Sequence, residues 1–561
     1  MGMGRIMRQT ILSVILEVNP ESAGNLSTLI EKLKHDEENP GQGVAQSYDG
    51  LKAAVPVLHF MSMSVFPGAD YDPIFVIEAN FDGEPGPFWA QLEARLEPYL
   101  RSMLRCCKRP GDSDGPLYDA ITAENSRSPI APYLERRKLR PSAFHQGNRG
   151  LGRDQILRED ELFLATRDAL AAADTAPANP YRGVSEQQIH SKLRAAMLPR
   201  FRWLDAAAPV RVSRADRATD LLRLLAFILL ALPVLSIPGL ALGPITPPLR
   251  FLCLLAVAIL AVGIGLWRIK APLAGKGAPA RSGGLTLSSL STKNDVTSLA
   301  HPAGLLFWLL VILALYSLVA TCVFTLFVAA IRGEDFGALW WPTFRVVMLG
   351  LASVVFSLLA IVLWLRLLER RDSSQDAPPI DQRELRKMTH REDWIPQNHM
   401  GSVVLVKPGI LRMALFRAGH VGLGLIVRVV ATDGYLGSMR TIHFAHWTFV
   451  NNGSRLLFFS NFDHSWDSYL DDFIEKAHGG LTLAWGSGVG FPATRFLVLD
   501  GASHGRQFKA WARHSMAVSR FWFSAYKDLT VDQIERNARI ANGLRQISLK
   551  PEEAVAWAQD L

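Results

Sequence analysis

The 561-residue chain holds four cysteines, and they do not form a scaffold. Cys106 and Cys107 are adjacent, while Cys253 and Cys322 lie in apolar runs. A vicinal pair rarely makes a relaxed disulfide, so no stapled fold is expected. No CxxC pair, HExxH helix, phosphate-binding loop of the Walker type or GxSxG elbow is present. Gly147, Gly150 and Gly152 do not match GxGxxG and follow no clear strand, which excludes a dinucleotide fingerprint. Charged residues are only 20% against 49% hydrophobic, and the mean hydropathy is +0.13. Soluble domains are nearer a quarter charged. That balance excludes a disordered chain and requires an unusually apolar segment.

The apolar excess is concentrated in four runs: Leu224 to Leu242, Phe251 to Trp267, Gly304 to Ile331 and Val346 to Leu365. Each approaches the ~20 residues that cross a hydrocarbon core. None carries a central charge, which argues against an ion-coupled transporter. Pro233 and Pro238 fall in the first run, and spanning helices tolerate them. Ile11 to Val18 contains Glu17 and lacks a small-residue cleavage site, so it does not read as a signal peptide. Arg211, Arg214, Arg217 and Arg223 precede the first run; Arg268, Lys270, Lys276 and Arg281 follow the second; Arg366, Arg370 and Arg371 follow the fourth. The opposite turn carries Glu334 and Asp335, with Trp340 and Trp341 suited to the far interface. A multi-pass membrane protein with both termini cytoplasmic is expected. The net charge of +8 then belongs to anionic lipid headgroups rather than nucleic acid.

The runs separate two segments of similar order. In the first, Thr10 to Val18, Val57 to Phe66 and Pro73 to Ala79 read as strands, with helices over Glu21 to His35 and Pro87 to Cys107. In the second, Ser402 to Val406, Thr441 to Val450 and Arg455 to Ser460 read as strands, with helices over Ile410 to Val430 and Ser465 to Ala477. Asn451-Asn452-Gly453 supplies a hairpin turn. Helices over Gly505 to Ala517 and Thr530 to Gln546 follow. His59-Phe60 and His443-Phe444 occupy matching places, as do Asn80-Phe81-Asp82 and Asn461-Phe462-Asp463. Such a repeat is a structural unit first. The expected organisation is a first unit over 1–110, a polar helical linker over 111–218, four spans over 219–370, a cytosolic linker over 371–400 and a second unit over 401–561.

Two β-α-β-β-α-β units with these paired signatures resemble the dimeric α+β-barrel superfamily, which includes the dye-decolourising peroxidases. The resemblance covers roughly 8–107 and 400–546. It implies an α+β fold in which two ferredoxin-like repeats form a pseudo-twofold barrel, here interrupted by a four-helix transmembrane insert. Asn80-Phe81-Asp82-Gly83 is similar to the peroxidases' Gly-x-x-Asp-Gly motif, with Ala79 replacing the leading Gly. The resemblance implies a haem-dependent or peroxidase-like oxidoreductase, and the membrane location suits a lipophilic small-molecule substrate. The alternative is a non-catalytic membrane scaffold or binding protein. Assembly with further copies of the chain stays open.

The candidate residues carry two readings each. Asp82 and Asp463 follow a strand and precede a helix, so they either cap the helix start or act as acid/base groups at the barrel mouth. Asn80 and Asn461 suit the same turns. His59 and His443 are either half-buried structural residues or ligands and general bases. Strand alternation puts His443 and His446 on opposite faces. His514, beside Arg513 on a helix, is the candidate proximal haem ligand. Gln397-Asn398-His399 reads as a loop capping the barrel.

Overall fold

The computed structural model describes residues 8–39, 48–68, 71–242, 302–372, 382–390, 395–430, 439–496 and 499–561, with isolated positions between them. Three long strands open the first half: β1 (Gln9–Glu17), β2 (Leu58–Phe66) and β3 (Ile74–Asp82). β3 lies between the other two, antiparallel to both. Two short strands follow, β4 (Lys138–Leu139) and β5 (Ala143–Gln146). The second half repeats the arrangement with β6 (Gln397–Leu405), β7 (Ile442–Val450) and β8 (Arg455–Asp463). A two-residue hairpin, β9 (Thr494–Arg495) and β10 (Leu499–Asp500), comes next, then β11 (Met516–Ala517) and β12 (Ser519–Ser524).

Each half gives its last strand to the other. β4 pairs with β1 of its own half, but β5 crosses to pair with β7. Reciprocally, β11 pairs with β6 while β12 crosses to pair with β2. The result is two five-stranded antiparallel sheets, ordered β12-β2-β3-β1-β4 and β11-β6-β8-β7-β5. The stretch 111–218 is therefore not a linker: it supplies strands to both sheets and the helix Arg153–Thr175. Short strands bounded by Pro141 and Val518 are too brief for alternation to reveal, which is why the crossing was not legible.

Helices Ala23–Glu38 and Pro85–Arg105 cover the first sheet, burying Leu26, Ile30 and Leu33 from one and Leu92, Leu96 and Leu100 from the other. Ile410–Val430 and Trp466–Trp485 belong to the second sheet, around Trp447, Phe458 and Trp485. Helices Arg153–Thr175 and Val531–Arg545 pack on one another across the halves. Between the sheets lies a separate core of Phe66, Ile74, Val76, Val450, Leu457 and Phe459.

Four described helices are long and apolar enough to cross a membrane: Arg214–Leu242, Pro302–Arg332, Phe336–Arg371 and Ile410–Val430. Three match expected runs; the expected run Phe251 to Trp267 falls mainly outside the described residues. The fourth is the covering helix of the second sheet. Its Arg412 pairs with Asp372 at 3.1 Å, and its His420 Nε2 lies 3.1 Å from the Ala484 carbonyl oxygen. Its length and composition permit a span, and these partners join it to the end of the helix Phe336–Arg371 and to the helix Trp466–Trp485. Around Pro238 the Leu235 carbonyl accepts from Ser357 Oγ at 2.8 Å, and the Gly239 N–H donates to Ser353 Oγ at 2.9 Å. Two serines one turn apart thus serve a carbonyl and an N–H within a turn of the proline, the kind of side-chain help that lets a spanning helix tolerate it. The first helix is fastened to the sheets by Asp220, which pairs with Arg149 at 2.6 Å and Arg428 at 3.4 Å, and by Arg211 on Glu535 at 2.6 Å.

The crossing of β5 ends at Gly147, whose N–H donates to the His443 carbonyl at 2.8 Å. A Cβ at Gly147 would stand 2.1 Å from the Ile442 carbonyl oxygen, so no side chain fits without moving backbone. Gly147→Ala is expected to lower stability by about 2 kcal/mol or more in chemical unfolding, since overpacking against backbone has no cheap relief. Unchanged stability would contradict the crossing.

Candidate functional site

The paired strands set the repeated residues in equivalent places. Gln9 stands opposite Asp82, and Gln397 opposite Asp463. Counting from those pairs matches Ile11 with His399, Glu78 with Phe459, and Asn80 with Asn461. Both aspartates make the same contacts. Asp82 Oδ2 accepts the N–H of Arg153, and Asp463 Oδ2 that of Val531, each at 2.8 Å. The other oxygen faces a histidine: His59 Nε2 lies 3.0 Å from Asp82 Oδ1, and His443 Nε2 donates to Asp463 Oδ1 at 2.8 Å.

These aspartates do hold helix starts, but not those of the next helix. Gly83 and His464 turn the chain with φ of 93° and 70°, and each carboxylate reaches a helix far along the sequence instead. All four side chains are buried. The arrangement therefore fastens the helix that follows each crossing strand to the sheet rather than opening a mouth. Tyr526 breaks the match, its hydroxyl lying 2.8 Å from His59 Nδ1, where it donates. Burial pushes the Tyr526 hydroxyl well above its ordinary pKa, so it stays a neutral donor.

Asn80 and Asn461 point elsewhere, and they converge on a residue that sequence reading missed. Glu78 is fully buried between the sheets. Asn80 Nδ2 donates to its Oε1, as does Asn461 Nδ2 at 3.4 Å; Ser62 Oγ donates to Oε2 at 3.1 Å. His399 Nε2, without a hydrogen-bond partner, lies 3.7 Å from Oε2. Burial raises the Glu78 carboxyl to about 7, although its three donors pull the other way. His399 and His446 are pushed down to about 3 by burial, so both imidazoles are neutral. His446 Nε2 and Ser13 Oγ are 2.9 Å apart.

An open cleft of ≈ 610 Å³ reaches this cluster. His399, Ser519 and Trp522 line it, together with Lys34, Arg386 and Arg520. Counting all lining residues, five are Lys or Arg and two are Glu, so the cleft favours anions. Ser519 Oγ and His399 Nδ1 are 2.6 Å apart. Trp522 Nε1 donates to Asn461 Oδ1 at 2.8 Å, linking the cleft wall to Glu78. The segment Gln397-Asn398-His399, expected as a loop, is the start of β6 and delivers His399 inward.

The cluster is where the two halves differ. Phe459 occupies the place of Glu78, and Ile11 that of His399. Trp522 opposite Ser62 corresponds to Phe144 opposite His446. The signal in the sequence was a lone Glu within Ile74-Phe75-Val76-Ile77-Glu78-Ala79, an acid in an otherwise apolar strand.

The expected haem ligand does not join this site. His514 is exposed on the outer helix Gly505–Ser515. Its neighbour Arg513 pairs with Glu392 at 2.7 Å and lies 3.8 Å over the Trp466 ring. His59 and His443 face aspartates with Nε2. The donor set does not fit a haem. Among the described residues no group of three or more His, Cys, Asp or Glu side chains is placed to hold a metal ion.

Two outcomes follow. Asp463→Ala removes the acceptor of both the Val531 N–H and His443, so it should cost about 3 kcal/mol, beyond the ~1 kcal/mol of a lost cap; a cost confined to ~1 kcal/mol would show that the histidine contact contributes nothing. For Glu78 the folded pKa is raised, so its contribution is full below about 4.5 and falls as pH rises toward about 7. Glu78→Gln, measured against the native chain, should gain relative stability of about 3 kcal/mol between pH 4.5 and 8. A pH-independent difference would contradict the burial argument. Comparison of the chain with protein-family models, with curated proteins and with solved structures found no match.

Proposed function

We propose that this is a multi-pass membrane protein whose soluble halves are two ferredoxin-like repeats closed into one pseudo-twofold α+β barrel, and that the barrel binds a small anionic molecule with an apolar portion. The crossed strands and the matched His–Asp pairs support the barrel. Strand exchange requires both halves to lie on one side of the bilayer, so the chain crosses an even number of times between them. The arginines at the helix ends favour the cytoplasm for that side.

The observation that carries the binding reading is the basic cleft whose floor ends at the buried Glu78–His399 cluster. Trp522, Ile395 and Met516 give it apolar lining, while Arg383, Arg386 and Lys387 follow the helix Phe336–Arg371 in sequence. Of the functions the sequence opened, the binding protein has this support; the haem-dependent oxidoreductase has none from the placement of His514 and Arg513.

Decanoate serves as the probe, with decanol as its uncharged counterpart, titrated against full-length protein in detergent. Decanoate should quench tryptophan fluorescence at lower concentration than decanol, and Trp522→Phe should remove part of that signal. Arg386→Glu with Lys387→Glu should weaken decanoate by about tenfold, ~1.4 kcal/mol. Equal affinity for acid and alcohol, or no effect of the charge reversal, would overturn the reading.

A further inference from the structure

The geometry points to a serine nucleophile in the cleft: Ser519, with His399 as its base and Glu78 orienting the base, acting on esters that carry a negative charge elsewhere in the molecule. This deepens the binding reading and rests on it. Ser519 Oγ stands 2.6 Å from His399 Nδ1, within reach for proton transfer. On the far side of the ring, buried Nε2 has no hydrogen-bond partner and faces Glu78 Oε2 at 3.7 Å. If Nε2 carries the proton, Nδ1 is left as acceptor for the serine hydroxyl. Once Glu78 is ionised, that is the order nucleophile, base, orienting carboxylate, with the last contact at 3.7 Å closing to a hydrogen bond only as the imidazole gains its proton.

Three further observations belong together. Ser519 is half-buried at the cleft, where a substrate reaches it, while the His399 side chain, 2% exposed, lies covered behind the serine and Glu78 is sealed beneath. The β12–β2 register shifts between Ser519 and Phe521, an irregularity of the kind that re-aims a side chain beside a site. Glu78 and His399 have an apolar residue, Phe459 and Ile11, at the matching place in the other half. A purely structural polar pair would have no need to be on one side alone.

The chemistry balances with water as the second reactant. Ser519 Oγ bonds to the acyl carbon while its proton passes to His399 Nδ1. The bond from that carbon to the alcohol oxygen breaks, and the alcohol leaves with the proton. Water then gives a proton to His399, its oxygen bonds to the acyl carbon, and the serine–acyl bond breaks to release the acid and restore the hydroxyl. Glu78 makes no contact with substrate; it is a positioning residue.

The test uses full-length protein in detergent with a fluorophosphonate probe and mass-spectrometric mapping, beside hydrolysis of the 4-nitrophenyl monoester of succinic acid. The probe should label Ser519. Ser519→Ala should abolish labelling and turnover while keeping the native unfolding midpoint, which shows that it folds. His399→Gln should lower kcat at least about a hundredfold. Glu78→Gln should lower kcat with KM unchanged, a split that mere loss of packing would not give. The uncharged 4-nitrophenyl butyrate should show the higher KM. Decanoate binding with no labelling of Ser519, or turnover that survives Ser519→Ala, would overturn the nucleophile and leave the binding reading standing. Loss of decanoate binding in the native chain would instead defeat the binding reading, and this inference with it.

Discussion

The exchange of terminal strands between the halves is the constraint on which everything else hangs. β5 seats on β7 and β12 on β2, so neither sheet reaches five strands alone. Each crossing also brings the helix that follows it to the join, where Asp82 or Asp463 accepts the helix's first N–H. A buried carboxylate with one oxygen on a helix start and the other on an imidazole is costly to break from either side. The two fastenings hold the strand ends at fixed positions. They also explain how two halves separated in sequence by long apolar helices still share their sheets.

That frame leaves the space between the sheets to be filled, and the two halves fill it differently. One end is packed with Phe66, Phe459, Val76 and Leu457. Toward the other, Glu78 takes the place that Phe459 holds in the second half, and three donors from strands of both halves gather on it. A carboxyl there is expensive unless hydrogen-bonded, and it is. The neutral His399 connects it to the cleft wall at Ser519. Matching residues in both halves build the frame, while unmatched ones build the site.

Much of the frame was legible in the sequence. Segments rich in β-branched and aromatic residues between turn signals and the repeated His-Phe and Asn-Phe-Asp signatures located the central strands, 58–66, 74–82, 442–450 and 455–463, within a few residues. The crossing strands were not, because four residues at Ala143–Gln146 and six at Ser519–Ser524 carry too short a pattern, and their partners lie some 300 or more residues away. Of the site residues, Asn80 and Asn461 were found as turn candidates, yet their side chains serve Glu78. His59, Asp82, His443 and Asp463 were found for their repetition, and repetition marked them as fastenings. His514 and Arg513 were chosen for residue type, which cannot tell an outer helix face from an inner one. Glu78 was passed over because a single acid in an apolar strand has no motif; its meaning comes only from the partners that folding brings to it.

The central claim is that this carboxyl, sealed beneath the cleft, exchanges its proton near neutrality. Infrared titration of the carboxyl stretch in the full-length protein tests it directly. The account predicts a protonated, non-aqueous carboxyl band that disappears with a midpoint of about 7 and is absent from Glu78→Gln. A native spectrum in which every carboxyl titrates in the ordinary range of about 4 to 5 would contradict it.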